Sequence, residues 1–405
     1  MKNKKVCVIG LGYIGLPTAA VLANLEYTVI GVDVKNKVVD RINQGRIHIV
    51  EPGLEALVKK AVSSKRLKAQ MHPSPADVFI IAVPTPVGVE KNPDLSYVKK
   101  AVKNISSVIE PGNMIILEST VPPGTTNHIL EILRDLRPEF FSNKNKDEKI
   151  FIAHCPERVL PGKILKEIVE NDRIVGGLDP ISTQEASKFY QTFVKGEVVG
   201  TDSKTAEMSK LIENSFRDVN IAFANELSML CDNLDIDVRE LISLCNRHPR
   251  VDILKPGPGV GGHCLAVDPW FVVNSSQQYT SMIETGRKIN DDKTLWVAQK
   301  IIDMTKSLKN PVIGCLGVTY KPNSDDLRES PALKVIKLIK ESGLKVLACD
   351  PNIEKSNSVT LVNAEELLKS SNVVVALVKH DLFLKIKREQ LNRHLVLDTC
   401  GLFSE

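Results

Sequence analysis

A cysteine in a glycine-rich loop is the side chain in this sequence best placed for nucleophilic chemistry. In the stretch NRHPRVDILKPGPGVGGHCLAVDPWF, Cys264 follows four glycines, the last two being Gly261 and Gly262, and precedes Asp268. Backbone amides without side chains can point at a bound group, and such donors, like nearby cations, favour the reactive thiolate. Asp268 can handle protons or hold a lysine. The glycines also suit a simple chain reversal, so a catalytic and a structural interpretation stay open.

The stretch GLGYIG near the N terminus predicts a dinucleotide site. Gly10 allows a tight turn, Gly12 lets the backbone approach a pyrophosphate, and Gly15 lets a helix pack closely on the preceding strand. The amides of Tyr13 and Ile14 lie at the predicted helix N terminus, where the helix dipole favours an anion. Because the GxGxxG spacing is weak evidence by itself, the acidic residue that should follow it decides its weight.

Asp33 is that acidic residue, and it closes the next predicted strand 23 residues after Gly10. A carboxylate there can bond both ribose hydroxyls and would repel a 2′-phosphate, which favours NAD over NADP as the cofactor. Thr85, Thr120 and Thr126 stand at strand ends or at a helix start, where ligands of open parallel sheets bind. Each threonine is also compatible with an ordinary cap or turn.

A polar stripe is predicted on a long helix in the middle of the chain. Lys210, Asn214 and Arg217 occupy positions i, i+4 and i+7, which share one helical face. Charged residues usually mark a solvated face, but an amide between two cations suits a binding site. A lysine on this stripe can stabilise a developing alkoxide.

NAD and a reachable thiol together narrow the chemistry. NAD takes a hydride from an alcohol to give an aldehyde, which must become tetrahedral before it can lose a second hydride. A thiolate achieves this by forming a thiohemiacetal, and the second oxidation leaves a thioester that water hydrolyses to a carboxylate. The combination therefore predicts a four-electron oxidation from alcohol to acid, with Cys264 as the nucleophile.

Three regions must position these residues. Residues 1–200 and 309–405 alternate strand and helix, which predicts parallel sheets with helices on both faces. Residues 201–308 are helical and include a segment of about 34 residues, roughly 50 Å long as a helix, with Asp202 or Ser203 as its N-cap. The predicted fold is α/β, with two doubly wound, Rossmann-like domains joined by a long central helix and a helical domain. A helix this long usually spans between domains or packs on a partner.

Composition limits the possible classes of protein. The 405 residues are 43% hydrophobic and 25% charged, as in ordinary globular proteins, and the net charge of +4 predicts no nucleic-acid surface. The sequence shows neither a signal peptide nor an apolar run of roughly 18 residues, so we expect no membrane association. Eight dispersed cysteines without a CxxC pair indicate reduced thiols in a cytoplasmic protein, and we expect no metal site.

The chain resembles the UDP-glucose/GDP-mannose dehydrogenase family of nucleotide-sugar 6-dehydrogenases. The resemblance covers nearly the whole chain, through GLGYIGLP, VPTP, EST, PER, KLIENSFRD, GGHC and KPNSDDLRESPA. Within the family, CPERVLPG, TAEMSKLIENSFRDVNIAFANELS and the cysteine loop resemble the UDP-N-acetylhexosamine branch. They are most similar to members that oxidise UDP-N-acetyl-D-mannosamine, which implies the same oxidation at C6 with NAD.

The resemblance implies a role for each catalytic residue. Cys264 would be the nucleophile and Lys210 the proton-transfer or oxyanion group. Asn214 and Asp268 would order the lysine and a catalytic water, and Glu157 in CPER would help thioester hydrolysis. Without the resemblance, a glutamate in such a loop would be taken as solvent-exposed.

The resemblance also implies the surroundings of the substrate. The residues that would meet the sugar nucleotide are Arg158, Val159, Lys210, Asn214, Arg217, His248, Arg250, Gly261, Tyr320 and Lys321. The central helical domain would be a dimerisation domain, and His248 and Arg250 match a loop that often reaches across a homodimer to the neighbour's substrate. Arg328, with Tyr320 and Lys321, would serve the cofactor or the nucleotide diphosphate, because cations after a strand end suit a phosphate. The pattern alone favours a solvated loop at these three positions.

Several alternatives stay open. Val267 stands where the UDP-glucose branch usually has a lysine, so UDP-glucose is the least expected substrate. UDP-N-acetylglucosamine and UDP-N-acetylgalactosamine remain alternatives because no motif reads the sugar epimer. A β-hydroxyacid dehydrogenase of the 6-phosphogluconate type needs neither Cys264 nor the second α/β region. An NAD-binding sensor without catalysis would have lost Cys264 or Lys210, and both are present.

Overall fold

The structure, a computed structural model, describes residues 4–88, 91–142 and 149–403. The chain forms two compact units, Met1–Ile212 and Glu213–Glu405. Within the described ranges, the helices include none that is both long enough and apolar enough to cross a membrane.

The N-terminal unit alternates strands and helices. Its described strands are β1 (Lys5–Ile9), β2 (Thr28–Val32), β3 (Leu67–Gln70), β4 (Val78–Ile81), β5 (Met114–Leu117), β6 (Phe151–His154), β7 (Arg173–Gly177) and β8 (Val198–Asp202). Its described helices are α1 (Gly15–Asn24), α2 (Asn36–Asn43), α3 (Leu54–Ser63), α4 (Ser96–Ser106), α5 (Thr125–Leu136), α6 (Glu139–Ser142), α7 (Ile164–Glu170) and α8 (Pro180–Tyr190). The long helix α9 (Ser203–Asn233) begins directly after β8.

The C-terminal unit is helical first and then α/β. Its further helices are α10 (Val238–Cys245), α11 (Asp268–Ser275), α12 (Ser281–Thr305), α13 (Pro331–Glu341) and α14 (Ala364–Ser370), and short 3-10 helices span Gln277–Tyr279, Asp381–Lys385 and Arg388–Leu391. Its strands are β9 (Val312–Leu316), β10 (Lys345–Cys349), β11 (Thr360–Leu361), β12 (Val373–Ala376) and β13 (Leu395–Asp398).

The N-terminal sheet has the strand order of a dinucleotide-binding fold. The order is β3-β2-β1-β4-β5-β6-β7-β8, and the first six strands in this order are mutually parallel. The order reverses between β1 and β4, which opens a crevice at their carboxyl ends. Alternate residues of the strands pack into two hydrophobic cores, one on each face of the sheet. In β1, Val6 and Val8 belong to one core, and Cys7 and Ile9 belong to the other. Burial on both faces is expected of a sheet covered by helices.

The last two strands of this sheet depart from the predicted parallel arrangement. β7 pairs antiparallel with β6, and β8 pairs parallel with β7. His154 pairs with Gly176 and Ala153 with Gly177, so the end of β7 lies beside the end of β6. β7 therefore begins beyond the carboxyl end of β6 and runs back along it, and the chain does not first return to the opposite edge of the sheet. Residues at the start of β7 therefore lie beside the residues that follow β6.

The C-terminal sheet confirms the second doubly wound region. Its order is β11-β10-β9-β12-β13, and all four strand pairs are parallel. Apolar residues of α12 and α13, such as Val297 and Val335, pack with strand residues such as Cys315 into one core.

The start of α9 agrees with the cap expected from the sequence. Asp202 accepts the Thr205 amide at 3.0 Å and the Thr205 hydroxyl at 2.5 Å. A carboxylate in this position satisfies donors that the first helical turn leaves free.

Candidate active site

The glycine loop after β1 has the shape that a dinucleotide needs. Gly10 has a φ of 92°, and a Cβ there would lie 2.5 Å from the carbonyl oxygen of Ala82. A Cβ at Gly15 would overlap the carbonyl oxygen of Gly10, so α1 begins in direct contact with the turn. A Cβ at Gly12 would meet no described atom within 4 Å, which leaves this backbone open to a pyrophosphate.

The residues on either side of this opening fit the rest of the cofactor. Tyr13 is exposed, and no side chain of the described residues caps α1 at Ile14, so the helix N terminus can receive an anion. At the end of β2, Asp33 Oδ2 accepts the Leu11 amide at 3.1 Å and Oδ1 accepts the Lys35 amide at 2.9 Å. These bonds fix the carboxylate, and each oxygen keeps a lone pair for a ribose hydroxyl.

Lys210 on α9 lies at the carboxyl edge of the N-terminal sheet. Its Nζ donates to the hydroxyl of Thr120, whose carbonyl oxygen accepts the Thr85 hydroxyl at 2.6 Å. The structure thus brings together three residues that were predicted from separate stretches of sequence. The charge of Lys210 reaches the buried His154, whose pKa falls to about 3 mainly through burial and then through this lysine.

Thr126 has a different environment from the other two threonines. It is fully buried, and its amide and hydroxyl donate to Glu207 Oε1 at 2.7 and 2.6 Å, while the Gly124 amide donates to Oε2 at 2.5 Å. Glu207 therefore caps α5, and the role of Thr126 toward the cofactor stays a prediction. Glu207 was not predicted from the sequence, although it lies three residues before Lys210, a spacing that shares a helical face.

Glu157 is buried, contrary to what its loop position alone suggested. Its Oε2 accepts from Arg173 Nη1 at 2.7 Å, and its Oε1 accepts the Arg158 amide at 2.7 Å. The Arg158 guanidinium donates to the carbonyl oxygen of Asp172 at 2.6 Å, and Val159 packs against the N-terminal core. The predicted hydrolytic residue is therefore held by two defined donors.

A second buried carboxyl group lies close to this ion pair. Glu118 Oε1 accepts from the Tyr190 hydroxyl at 2.6 Å. Burial, and then the charge of Glu157, raises the pKa of Glu118 to about 7. The neighbouring Cys155 is an inert thiol, because burial raises its pKa to about 12. Glu118 and Arg173 were not predicted from the sequence, although ionisable residues in the apolar runs IILEST and RIVGG were a visible signal.

In the C-terminal unit, the candidate nucleophile sits in a tight turn at the start of α11. Cys264 is half-buried, and its carbonyl oxygen accepts the amides of Val267 and Asp268 at 2.9 and 2.8 Å. Asn214 Nδ2 on α9 donates to Asp268 Oδ2 at 2.6 Å. Two predicted catalytic residues therefore connect the long helix to the cysteine turn.

The glycines before the cysteine have a structural reason as well. A Cβ at Gly261 would lie 2.6 Å from the carbonyl oxygen of Glu329 and 2.8 Å from the Tyr320 Cβ. Gly262 has a φ of 83°, its amide donates to the Arg328 carbonyl at 3.1 Å, and a Cβ there would lie 2.9 Å from the Tyr320 ring. The segment after β9 therefore packs so closely on Gly261 and Gly262 that neither position has room for a side chain, whether or not a ligand binds.

A buried polar network holds the cysteine turn from the side of α12. Arg287 donates to the carbonyl oxygen of Leu265 at 3.2 Å and forms an ion pair with Asp218 on α9. Asn290 donates to the same carboxylate at 2.9 Å. Burial raises the pKa of Asp218 to about 6, although Arg287 opposes the rise. This network was not predicted from the sequence, where its signal was the run of polar residues in GRKINDDKT.

The predicted nucleotide contacts after β9 lie together. The Lys321 Nζ is 5.6 Å from the centre of the Tyr320 ring. Arg328 binds the Asp326 carboxylate through Nε and Nη2 at 2.6 to 3.1 Å. Burial raises the pKa of Tyr320, as do the charges of Asp326 and Cys264. The tyrosine therefore lies close enough to the candidate nucleophile for their charges to interact.

The residues predicted to reach a partner subunit are exposed. His248 and Arg250 follow α10, and the Arg250 amide contacts His248 Nδ1 at 3.3 Å. Asn246 closes the base of this loop through two hydrogen bonds to Ile253, at 3.0 and 2.7 Å. Arg217 is also exposed, on α9.

The C-terminal sheet repeats the glycine turn of the dinucleotide site, but the acidic residue at the corresponding position, Asp350, is buried beneath His380. Gly317 has a φ of 93°, close to the 92° of Gly10, and the next amide, of Val318, donates to Asp350 Oδ2 at 2.8 Å. His380 Nε2 lies 3.1 Å from the same oxygen, and both side chains are fully buried. A ribose cannot reach this acid as it can reach the half-buried acid at the end of β2.

Comparison with known proteins connects these features. Three domain models of one family match the chain in order. They are the NAD binding domain at residues 4–194, the central domain at residues 204–292 and the UDP binding domain at residues 314–405. The chain belongs to the UDP-glucose/GDP-mannose dehydrogenase family. The resemblance predicted from the sequence is thereby confirmed.

Similar members of the UDP-glucose/GDP-mannose dehydrogenase family cover almost the entire chain. The UDP-N-acetyl-D-mannosamine dehydrogenase of Campylobacter jejuni is 51% identical, over 96% of this chain and 98% of the relative. The NDP-N-acetyl-D-galactosaminuronic acid dehydrogenase of Ralstonia nicotianae is 49% identical, over 99% of this chain and 96% of the relative. The solved UDP-D-ManNAc dehydrogenase of Pyrococcus horikoshii is 37% identical, with a TM-score of 0.90 over 99% and 96% of the two chains.

Family membership confirms two predictions about ligands. The cofactor is NAD, which agrees with the open glycine loop and the fixed carboxylate of Asp33. The substrate is a UDP-sugar, which agrees with the closed acid in the C-terminal sheet. The chain is an NAD-dependent UDP-sugar dehydrogenase with two Rossmann-like sheets.

Proposed function

We propose that this enzyme oxidises C6 of UDP-N-acetyl-D-mannosamine by four electrons, to UDP-N-acetyl-D-mannosaminuronic acid. The observation that carries the proposal is the end-to-end likeness to the Campylobacter jejuni enzyme. The half-buried Cys264 and its neighbour Asp268 support the acid as the product, because a thiol makes the second oxidation possible.

The residues of the N-terminal unit prepare the first oxidation. The backbone at Gly12 and the N terminus of α1 receive the pyrophosphate, and Asp33 receives the ribose hydroxyls. NAD would supply the hydride acceptor, one molecule for each of the two oxidations, so the first NADH would leave before the second NAD binds. Lys210, held by Thr120, serves as the proton-transfer or oxyanion group when the C6 hydroxyl becomes a carbonyl.

The residues around Cys264 carry the second oxidation. The thiolate adds to the aldehyde carbon and forms a C–S bond, and oxidation of this thiohemiacetal leaves a thioester. Water then attacks the acyl carbon, the C–S bond breaks with its electron pair returning to sulfur, and Glu157 takes a proton from the water. The hydrogen-bonded pair of Asn214 and Asp268 orders the lysine and this water.

A second candidate substrate is UDP-N-acetylgalactosamine. The specific observation in its favour is the Ralstonia nicotianae relative, whose name concerns N-acetyl-D-galactosaminuronic acid. Its identity to this chain is nearly that of the Campylobacter jejuni enzyme, so likeness alone does not separate the two sugars.

We infer that the enzyme acts as a homodimer. Phe216, Phe223 and Leu230 are exposed at seven-residue intervals on α9, where they form an apolar stripe. Covering such a stripe with a second copy removes apolar surface from water. The exposed loop of His248 and Arg250 would then reach the neighbour's substrate.

We also propose the domain bounds and the location expected from the sequence. The bounds are 1–200, 201–308 and 309–405, and the first of them falls just before α9. A cytoplasmic location would keep the thiol of Cys264 reduced.

The test is the number of NADH molecules formed for each sugar nucleotide consumed. The substrates compared are UDP-N-acetylmannosamine, UDP-N-acetylgalactosamine, UDP-N-acetylglucosamine and UDP-glucose. We expect two NADH from the first and little from the others. Two NADH from UDP-N-acetylgalactosamine instead would favour the second candidate, and a single NADH from every substrate would contradict the role of Cys264.

A pair of cysteine variants tests the thiol itself. Cys264→Ser should abolish formation of the acid. Cys245→Ser is the matched control, because Cys245 is another half-buried cysteine of the C-terminal unit that forms no disulfide. Equal acid formation by both variants would refute the proposed nucleophile.

A further inference from the structure

A buried group of three residues lies behind Glu157, and the mechanism above does not use it. We call this group the Arg173 cluster, and it consists of Arg173 on β7, Glu118 after β5 and Tyr190 at the end of α8. All three residues are almost completely buried. Burying ionisable groups costs free energy unless they are paired or neutral.

The reversal of β7 creates the contact between Arg173 and Glu157. The β6–β7 register pairs His154 with Gly176. Three residues further along the same register, position 157 stands opposite position 173. A parallel β7 would start at the other edge of the sheet and would leave Glu157 without this guanidinium.

The contacts hold the Glu157 carboxylate in one orientation. Arg173 Nη1 donates to Glu157 Oε2 at 2.7 Å, and Nη2 donates to the carbonyl oxygen of Ile168 at 3.2 Å. The backbone amide of Arg158 occupies the other carboxylate oxygen at 2.7 Å. Each oxygen keeps a lone pair for a water molecule. The guanidinium also lies 5.8 Å from the centre of the Tyr190 ring.

A largely protonated Glu118 leaves the Glu157 carboxylate as the main ion-pair partner of the Arg173 guanidinium. Two carboxyl groups interact with one guanidinium, and burial is the main reason that the pKa of Glu118 rises to about 7. At and below neutral pH, Glu118 therefore holds a proton for much of the time and competes weakly for the cation. The Tyr190 hydroxyl, 2.6 Å from Glu118 Oε1, fixes this carboxyl group.

We propose that Arg173 is a positioning residue for thioester hydrolysis, aligning Glu157 with the attacking water, and that Glu118 and Tyr190 support Arg173 in this role. The inference rests on the proposed function, because it requires a thioester on Cys264. It concerns the last step alone, since neither oxidation uses Glu157. Loss of alignment should therefore slow hydrolysis and spare the formation of NADH in the first turnover.

The decisive variant is Arg173→Lys, which keeps the charge but loses the planar fork that reaches both Glu157 and Ile168. In stopped-flow measurements with the preferred UDP-sugar, we expect a burst of two NADH per active site at nearly the wild-type rate. The steady-state rate after the burst should fall about 100-fold, as expected when a general base is misplaced by about 1 Å. Intact mass of the quenched enzyme should show the acyl group on Cys264.

A pair of tyrosine variants provides the matched control. Tyr190→Phe and Tyr27→Phe each remove one buried hydroxyl from the same aromatic cluster, since both rings contact Phe189 and the Tyr27 hydroxyl bonds Thr192 at 2.7 Å. Tyr190→Phe should slow hydrolysis several-fold with the burst intact, and Tyr27→Phe should leave both phases unchanged. This pair still tests the proposal if Arg173→Lys does not fold.

Two results would overturn the positioning role. One is an equal fall of the burst and the steady state in Arg173→Lys, which a merely structural role would produce. The other is identical kinetics of Tyr190→Phe and Tyr27→Phe. If the wild-type enzyme forms no NADH with any UDP-sugar, the proposed function fails, and the positioning role fails with it.

Discussion

Replacing Glu118 by glutamine should remove a pH dependence from the stability of the N-terminal unit. Burial, and then the charge of Glu157, raises the pKa of Glu118 from 4.5 to about 7. The folded state therefore keeps a proton in a pH range where the unfolded chain has released it. The stabilisation from this group is complete below the unfolded value and is lost as the pH rises through the folded value.

The size of the effect follows from the shift. Each pKa unit corresponds to about 1.4 kcal/mol, so the shift of Glu118 is worth about 3 kcal/mol of unfolding free energy between about pH 4 and about pH 8. Glutamine has nearly the same shape and carries no charge at either pH. The variant should therefore gain stability relative to the wild type as the pH rises.

Urea unfolding of both proteins, without ligands and under reducing conditions, measures this difference. Unfolding midpoints at about pH 5 and about pH 8 give the free-energy difference between the two proteins at each pH. Groups that do not interact with Glu118 titrate alike in both proteins and cancel in the comparison. The same free-energy difference at both pH values would refute the assignment of a raised pKa to Glu118.

Three further predictions follow from the contacts. Gly10→Ala should lower the free energy of unfolding by at least about 2 kcal/mol, because the φ of Gly10 is positive and a carbonyl oxygen blocks the Cβ. Gly12→Ala should instead fold normally and raise the KM for NAD. Thermal unfolding measures the stability of both variants, and steady-state kinetics measure their KM for NAD. Arg287→Met should destabilise the C-terminal unit by about 3 to 5 kcal/mol in chemical unfolding, since it leaves the buried Asp218 unpaired; a loss below about 1 kcal/mol would contradict the pairing. Thr126→Val should cost about 1 to 3 kcal/mol of stability, because its hydroxyl bonds a buried carboxylate; a raised KM for NAD at unchanged stability would instead support the predicted cofactor contact.

The local parts of the site could be predicted from the sequence. The glycine turn at Gly10, the acid Asp33 at the end of the next strand and the cap of the long helix at Asp202 are confirmed. These features depend on residues close in sequence and on a few backbone conformations. For the same reason, the second doubly wound region was visible from its alternating strands and helices.

The residues that support the site could not be predicted in this way. The antiparallel pairing of β7 brings Arg173 to Glu157, and the α5 cap engages Thr126. Strand direction depends on where the chain goes after β6, which local hydrophobic periodicity does not encode.

The amino-acid sequence by itself determined the fold class, the cofactor and the family of this protein, because these rest on local patterns and on long matching stretches. Only the tertiary structure decided which groups are removed from water and paired with one another. Glu118 shows the difference: its residue type predicts an ordinary acid, and its raised pKa comes from burial and from a neighbour 39 positions away, Glu157. Desolvation and charge pairing depend on three-dimensional proximity, and the folded chain alone supplies it.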